Sequence, residues 1–323
     1  MSGVSRREML KAGAAVVAGT VARSLSGAEG EQAVGPIIDS HIHIWNLKQF
    51  HLPWLDHAEP LLKRDYSVAD YREAIRGTAI ERAVYVEVEV EADQCVRETE
   101  YANQLCSQPN TVISGAVIGG DPADAAFGQY VARFKDTLAI KGVRFPYPEG
   151  ASTNQGFVRG IRALAAAKMS FDLLLGPGQL ADAAKLVDAC PDTSFILDHC
   201  GGATASLFRR QSDRDVGVER DQWKRGIELL ASRHKVVCKI SGVADGALPG
   251  GATAGDCAPV VNFCLDQFGP DRVLFGTNWP VCLKGTTIKH WLDALNQIVA
   301  TRAPSDRAKL FCHNARRVYR LAN

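Results

Sequence analysis

Short apolar runs alternate with helix-periodic segments along the chain from residue 36 onward. A short apolar run bounded by turn residues is typical of a buried strand, and apolar residues recurring every three or four positions are typical of a helix packed on one face. Eight strands are predicted, at Ile37–Ile44, Ala83–Val90, Val112–Val117, Ile140–Arg144, Phe171–Leu175, Ser194–Asp198, Lys235–Ile240 and Arg272–Phe275. Eight helices are predicted, at Val68–Ile75, Gln94–Leu105, Ala123–Thr137, Asn154–Ala167, Gln179–Ala189, Gln222–Ser232, Ala258–Phe268 and Ile288–Ala300.

This alternation of strands and helices predicts a parallel α/β architecture. Eight strand–helix pairs are the number found in a (β/α)8 TIM barrel, and the predicted elements fit a single domain over residues 36–322. A doubly wound open sheet is the main alternative. The Gly-x-Gly-x-x-Gly pattern of dinucleotide-binding open sheets does not follow the first strand, so the barrel is favoured.

The first 30 residues do not fit the barrel pattern and are predicted to be an export signal. The run Ser5-Arg6-Arg7-Glu8-Met9-Leu10-Lys11 precedes a small apolar stretch, Ala12 to Ala22, that is too short to span a membrane. The arginine pair resembles the twin-arginine signal, and Ser26-Gly27-Ala28 fits a cleavage site. We therefore expect a periplasmic protein that is not inserted in the membrane after signal removal. A disordered terminus with a chance arginine pair is the alternative.

Composition narrows the class of partner. The chain of 323 residues is 46% hydrophobic and 23% charged, with a formal net charge of +1. A nearly neutral chain gives no reason to expect a nucleic-acid or membrane partner, so a small-molecule substrate is favoured. The nine cysteines include no Cys-x-x-Cys pair, and so signal neither a zinc site nor a redox motif. The composition indicates no particular oligomeric state.

The first predicted strand carries the clearest candidate chemistry. Its residues Asp39, His41 and His43 alternate with apolar or small residues, so a regular strand would place all three on one face. Two imidazoles spaced in this way at a strand end can bind one metal ion or polarise one substrate oxygen. A pair of surface or hydrogen-bonded histidines is the alternative.

Further polar residues stand near the ends of other predicted strands, where TIM barrels carry their active sites. His199 follows the sixth strand in Asp198-His199-Cys200-Gly201, and is expected to join His41 and His43. Glu87 alternates with valines in the second strand, where a buried carboxylate needs compensation.

Two cationic side chains are predicted to bind substrate. Arg144 of the fourth strand offers a planar fork suited to a carboxylate or a lactone carbonyl, and Lys239 is a lysine among apolar residues of the seventh strand. The aromatic residues Trp45, beside the long loop 46–66, and Trp279, after the eighth strand, are further candidates for substrate contact. Structural ion pairs and loop packing are the respective alternatives.

Taken together, the strand-end motifs carry a family resemblance. They are Asp39-x-His41-x-His43-x-Trp45, Lys141-Gly142-Val143-Arg144, Asp198-His199-x-Gly201, Lys239-x-Ser241-Gly242, Gly276-Thr277-Asn278-Trp279-Pro280 and Asn314-Ala315-x-x-x-Tyr319. This order resembles the amidohydrolase-related family, in particular its branch of sugar lactonases such as L-fuconolactonase and 2-pyrone-4,6-dicarboxylate lactonase. The resemblance implies a hydrolase of a small lactone or related cyclic ester.

The resemblance also implies roles for individual residues. His41, His43 and His199 would polarise the carbonyl, either directly without metal or by binding one divalent ion, zinc or similar. In the family an Asp at the eighth strand usually activates the water, but this chain has Asn278 there. A neutral amide has no basic lone pair at neutral pH, so Asn278 can only donate or accept a hydrogen bond.

Three interpretations of this departure stay open. Another group, with Glu87 or a histidine as candidates, acts as the base. Alternatively, the enzyme is a lactone isomerase that needs no activated water, because a substrate hydroxyl is the nucleophile. The third interpretation is a non-catalytic periplasmic binder of small molecules.

Overall fold

The computed structural model describes residues 35–208, 216–246 and 251–322. The predicted export signal, residues 1–30, lies outside the described residues and stays a prediction. Among the helices of the described part, none combines the length and the apolar character that crossing a membrane requires.

The described residues form an eight-stranded parallel barrel. The strands are β1 Ile37–Ile42, β2 Ile80–Val86, β3 Ile113–Gly119, β4 Ile140–Pro146, β5 Ser170–Leu174, β6 Ser194–Leu197, β7 Val236–Ile240 and β8 Val273–Phe275, each paired with its neighbour in chain order. A parallel bridge between Ile42 and Trp279 joins the first strand to the segment after the eighth. The predicted (β/α)8 TIM barrel is confirmed.

Among the described residues, eight α-helices of seven residues or more surround the barrel and two short α-helices follow, while a single turn, His199–Gly202, comes after β6. The α-helices are α1 Val68–Ala74, α2 Cys95–Ser107, α3 Phe127–Phe134, α4 Gln155–Ala166, α5 Leu180–Ala189, α6 Gly217–Ala231, α7 Ala254–Phe268, α8 Ile288–Ile298, α9 Pro304–Ala308 and α10 Asn314–Val318. Side-chain caps fix several starts: Ser67 and Thr253 each accept a hydrogen bond from the backbone three residues on. α7 begins at Ala254, four residues before the predicted start, because Pro259 does not interrupt that helix.

The barrel interior is apolar at its amino-terminal end. Inward side chains from six strands form one buried cluster with the C-terminal helix: Ile38, Val84, Val86, Val117, Ile196, Val237, Leu274, Ala315, Tyr319 and Leu321. Charged groups stand above this cluster, toward the carboxyl ends of the strands. The apolar floor therefore limits the polar site to one end of the barrel, as in other barrels of this type.

The second strand is shorter than predicted. It ends at Val86 instead of Val90, and Glu89 has a positive φ of 54°. Because a left-handed residue interrupts the extended backbone, Glu87 and Glu89 belong to the loop after the strand.

Asp39 of β1 connects this strand to the segment after β8, where the barrel closes, and to α1. Its carboxylate accepts hydrogen bonds from Thr277 N at 2.9 Å, Thr277 Oγ1 at 2.6 Å, Tyr71 Oη at 2.9 Å and His41 N at 3.2 Å. It faces Tyr71 of α1 instead of the histidine rings, because the pairing of β1 with β2 is irregular between Asp39 and Ile42. The prediction that Asp39 shares a face with His41 and His43 is therefore wrong.

The Asp39→Asn variant tests this junction. Burial raises the pKa of Asp39 to about 6, although its hydrogen bonds oppose that shift, so at pH 8 the carboxylate is ionised and accepts from all four donors. An amide nitrogen cannot accept, so we expect a loss of ~1–3 kcal/mol in the free energy of unfolding, measured by urea denaturation at pH 8. Thr277→Val, which removes the hydroxyl that donates to Asp39 and accepts from Trp279 N, should cost ~1–2 kcal/mol. Equal stability of Asp39→Asn and the wild type would contradict the assigned role.

Candidate active site

Three histidines lie together at the carboxyl ends of the strands. His41 is in β1, His43 directly follows it, and His199 follows β6. The Nε2 atoms of His41 and His43 are 3.1 Å apart, and the ring centroids of His41 and His199 are 4.4 Å apart. The structure thus brings the three predicted histidines together, while their roles in catalysis or metal binding stay predictions.

The loops after β6 and β7 fix the position of His199. Its Nδ1 lies 2.9 Å from Ser241 Oγ. Gly242 has a φ of +70°, and a Cβ at this position would lie 2.8 Å from the Cβ of His199. Only glycine allows this close approach without strain, so the Ser241-Gly242 pair both supports the ring and leaves room for it.

Hydrogen bonds determine the tautomer of His43. Its Nδ1 lies 2.9 Å from Val86 O and 3.0 Å from Glu87 O, and carbonyl oxygens can only accept. Nδ1 therefore carries the proton of the neutral ring, and the lone pair of Nε2 points into the site. Asn278 Oδ1 lies 3.2 Å from this Nε2.

Burial keeps the three imidazoles neutral. It lowers the pKa of His43 to about 3 and that of His199 to about 4, and it holds the pKa of His41 well below its usual range. The positive charges of Arg144 and Lys239 add to the effect. Neutral rings supply lone pairs and single N–H donors, which are the forms needed for metal binding or for hydrogen bonding to a carbonyl.

Lys239 lies in a buried ion cluster below the histidines. Its Nζ is 2.6 Å from Asp172 Oδ2, 3.0 Å from Asp198 Oδ1 and 3.2 Å from His41 Nδ1, and its side chain is completely buried. Burial lowers the pKa of Lys239, but the two carboxylates outweigh it and hold the pKa above the usual value. These are the contacts of a group that positions His41, and the predicted contact of Lys239 with substrate stays a prediction.

Arg144 and Glu87 form a second buried ion pair. Arg144 Nε donates to Glu87 Oε1 at 2.5 Å, and Arg144 Nη2 donates to Glu87 O at 2.9 Å. The other carboxylate oxygen, Oε2, accepts from Glu89 N at 2.6 Å. Both oxygens of Glu87 are thus engaged, so its geometry favours a role in holding Arg144 over the predicted role as a base, which stays untested.

Asn278 links His43 to a carboxylate outside the predicted set. Its Nδ2 donates to Asp245 Oδ2 at 2.5 Å, in the loop after β7. Since an ionised carboxylate can only accept, this contact fixes the amide orientation, with Oδ1 directed at His43. Burial raises the pKa of Asp245 to about 6, against the hydrogen bond from Asn278.

Trp45 and Trp279 are packed among other aromatic rings. They are 1% and 2% exposed, and Tyr66 lies between them with centroid distances of 5.1 Å and 5.3 Å. Trp45 Nε1 also donates to Arg64 O at 2.7 Å. These contacts hold the loop 46–66 onto the barrel, and substrate binding by the two tryptophans stays a prediction that this packing does not support.

A cavity of about 400 Å³ adjoins the second ion pair. Its polar wall includes Arg144 and the carboxylates of Glu87, Glu89, Asp121 and Asp124. Its apolar wall includes Val90, Phe127 and Phe145. This volume is in the range of small-molecule sites. The guanidinium group of Arg144 is thus the one cation in the described wall of this cavity.

The donor set at the histidines fits a single divalent metal ion. His41 and His43 present two nitrogens 3.1 Å apart, and the ligand atoms of His41, Asp198 and His199 lie within 4.8 Å of one another. Asp198 Oδ1 lies 3.0 Å from Lys239 Nζ, whereas its Oδ2 is buried without a hydrogen-bond partner in the described residues. Nitrogen donors with a buried carboxylate are typical of zinc sites.

Sequence reasoning missed Asp172 and Asp245. Asp172 lies between Phe171 and Leu173 inside β5, so the signal that singled out Lys239, a charge within an apolar strand, was present there too. Asp245 follows β7 at the start of the Gly- and Ala-rich loop. Its position after a strand end was a weaker signal, because loop acids are usually solvated.

Comparison with known proteins finds a family and a relative that match most of this chain. The profile of the amidohydrolase family matches residues 38–321. An L-fucono-1,5-lactonase of Burkholderia multivorans is 27% identical over 295 residues, covering 88% of this chain and 96% of that protein.

Solved structures share the fold. A crystal structure of an amidohydrolase from Burkholderia multivorans with bound HEPES has a TM-score of 0.77 at 25% identity and covers 89% of this chain and 100% of that chain. A second crystal form, with bound zinc, has a TM-score of 0.76 at 24% identity over the same shares. Because the family profile spans nearly the whole barrel and its strand-end histidines, this chain belongs to the amidohydrolase family.

Proposed function

We propose that this protein hydrolyses a small lactone. The observation that carries the proposal is the cluster of three neutral histidines beside the buried Arg144, at the end of the barrel where such enzymes bind substrate. The similarity to an L-fucono-1,5-lactonase over nearly the full length of both proteins supports a sugar lactone as substrate.

The histidines and Arg144 can stabilise charge on the lactone carbonyl. In the tautomer in which Nδ1 of His199 accepts from the Ser241 hydroxyl, Nε2 carries the ring proton and can donate a hydrogen bond to the carbonyl oxygen. His41 is held from below by Lys239, so its ring needs little reorganisation during the reaction. Arg144 offers a fixed cation to hydroxyl groups of the substrate in the adjoining cavity.

We also propose that the site takes one divalent metal ion, zinc or similar. His41 and His43 would hold it, with His199 or Asp198 as a further ligand. A bound metal would polarise the carbonyl and acidify water. The support in this chain is its donor set; zinc is present in a crystal of the B. multivorans amidohydrolase.

A panel of lactones tests the hydrolase proposal. We expect the wild-type protein to open L-fucono-1,5-lactone or another six-membered aldonolactone, measured by proton release and by NMR of the hydroxy acid. His41→Gln/His43→Gln should lose this activity because the carbonyl contacts are lost, whereas His290→Gln, on the exposed surface of α8, should keep it. A new lactone formed without proton release would show an isomerase, and saturable binding without turnover would show a binder.

Elemental analysis and chelation test the metal proposal. We expect about one zinc or similar ion per chain as purified, because the donor set offers one site. Dialysis against a chelator should remove the ion, and His43→Gln should lower its affinity in a competition titration with a zinc indicator. A chain that carries no metal, binds none in the titration and keeps full activity would establish metal-free action.

We propose further that the chain is exported through its N-terminal arginine pair. The support is the Arg6-Arg7 pair before a short apolar stretch. Replacing both arginines with lysine should retain the protein in the cytoplasm, because twin-arginine recognition depends on the guanidinium pair, while Arg23→Lys serves as the matched control. Fractionation of bacterial cells measures the outcome, and periplasmic delivery of the double variant would refute the proposal.

A further inference from the structure

Lactone hydrolysis needs a base for water, and most carboxylates near the site are already engaged. Glu87 is bonded to Arg144 and to Glu89 N. Asp172 and Asp198 lie within 3.0 Å of Lys239 Nζ in a completely buried cluster. A carboxylate neutralised by a permanent cation is a weak proton acceptor, so these three groups are poor candidates.

Asp245 differs from these carboxylates in its surroundings. Its Oδ2 accepts from Asn278, and within the described part of the chain it has no ion-pair partner within 4.0 Å and Oδ1 has no hydrogen bond. The residue is half-buried, so a water molecule can reach it. Asp245 therefore has an oxygen with an available lone pair. It is connected to His43 through the amide group of Asn278.

Asn278 completes the arrangement as an orienting group. Its Oδ1 and His43 Nε2 lie 3.2 Å apart, and both are acceptors. The amide oxygen of Asn278 keeps a lone pair that can accept one O–H of a water molecule, and the second O–H of that water can then be directed at the Asp245 carboxylate. The side-chain amide of Asn278 can thus orient a water molecule through Oδ1, while its Nδ2 donates a 2.5 Å hydrogen bond to Asp245.

We propose that Asp245 is the general base of the hydrolysis and that Asn278 orients the attacking water. This assignment rests on the proposed lactone hydrolysis. It places the carboxylate on the loop after β7, and it gives the amide at the end of β8 a positioning role.

The proton balance of the reaction is as follows. Asp245 takes one proton from the water while the water oxygen forms a bond to the carbonyl carbon, giving a tetrahedral oxyanion. The oxyanion collapses, the acyl carbon–ring oxygen bond breaks, and the ring oxygen takes the proton back from Asp245 as it becomes a hydroxyl group. Lactone and water thus give one hydroxy acid, and Asp245 returns to its ionised form.

Removing the Asp245 carboxylate, and then exchanging it with the amide of Asn278, tests the proposal. Asp245→Asn should lower kcat by about 10²–10⁴-fold, the usual effect of losing a general base, with little change in KM. Asp245→Asn/Asn278→Asp places the acid and the amide in exchanged positions and should recover part of kcat. Asp293→Asn, an exposed acid on α8, is the matched control. Thermal unfolding of each variant verifies that it is folded.

Chemical rescue separates a base from a structural residue. In Asp245→Ala, added formate should restore part of kcat in a concentration-dependent way, because a small carboxylate can enter the vacated space and accept the proton. Activity of Asp245→Asn within threefold of the wild type would overturn the assignment of Asp245 as the base and leave the hydrolase proposal standing. A folded Asp245→Ala variant that formate does not rescue would do the same. A wild-type protein that hydrolyses no lactone would overturn the hydrolase proposal and the base with it.

Discussion

The site depends on the neutralisation of charge in the barrel interior. Lys239 is completely buried with Asp172 and Asp198, and Arg144 is buried with Glu87. A buried ion is costly to desolvate, and loss of one partner of such a pair commonly costs about 3–5 kcal/mol, because the other charge is left unpaired. The ion pairs therefore impose mutual positions on β4, β5, β7 and the segments directly after β2 and β6. The histidines rest on this charged layer, and their neutral state follows from the same burial.

The polar layer divides into groups that can face a ligand and groups that act through others. Lys239 contacts His41 from below, and Glu87 contacts Arg144 from the side. Neither has the free atoms that a catalytic acid or base requires. Asp245 and Asn278 are different. The amide oxygen of Asn278 lies 3.2 Å from His43 Nε2, and its amide nitrogen donates to one oxygen of Asp245, so that the other carboxylate oxygen remains available. An amide at the end of β8 is thus compatible with hydrolysis, provided that the carboxylate comes from the adjacent loop.

The barrel and its histidines could be predicted from the sequence, because their signals are local. Apolar runs marked all eight strands, and His41, His43 and His199 each stood at a strand end. Pairing was not predictable in this way: nothing in the sequence indicates that Glu87 bonds Arg144 or that Asp172 bonds Lys239, since these contacts form between distant strands. The irregularity after Asp39 and the bend at Glu89 were also missed, because alternation assumes regular strands.

The closure of the barrel has a consequence for biosynthesis. His43 N donates to Trp279 O at 2.7 Å, and Asn278 N donates to His41 O at 2.9 Å, so the first strand is paired with a segment more than 230 residues later in the chain. A nascent chain emerges from the ribosome amino-terminus first. The histidine pair consequently lacks its second neighbouring strand until almost the whole polypeptide has been made. Competence to bind a ligand at this site is therefore a property of the finished chain, acquired only after synthesis has passed the eighth strand.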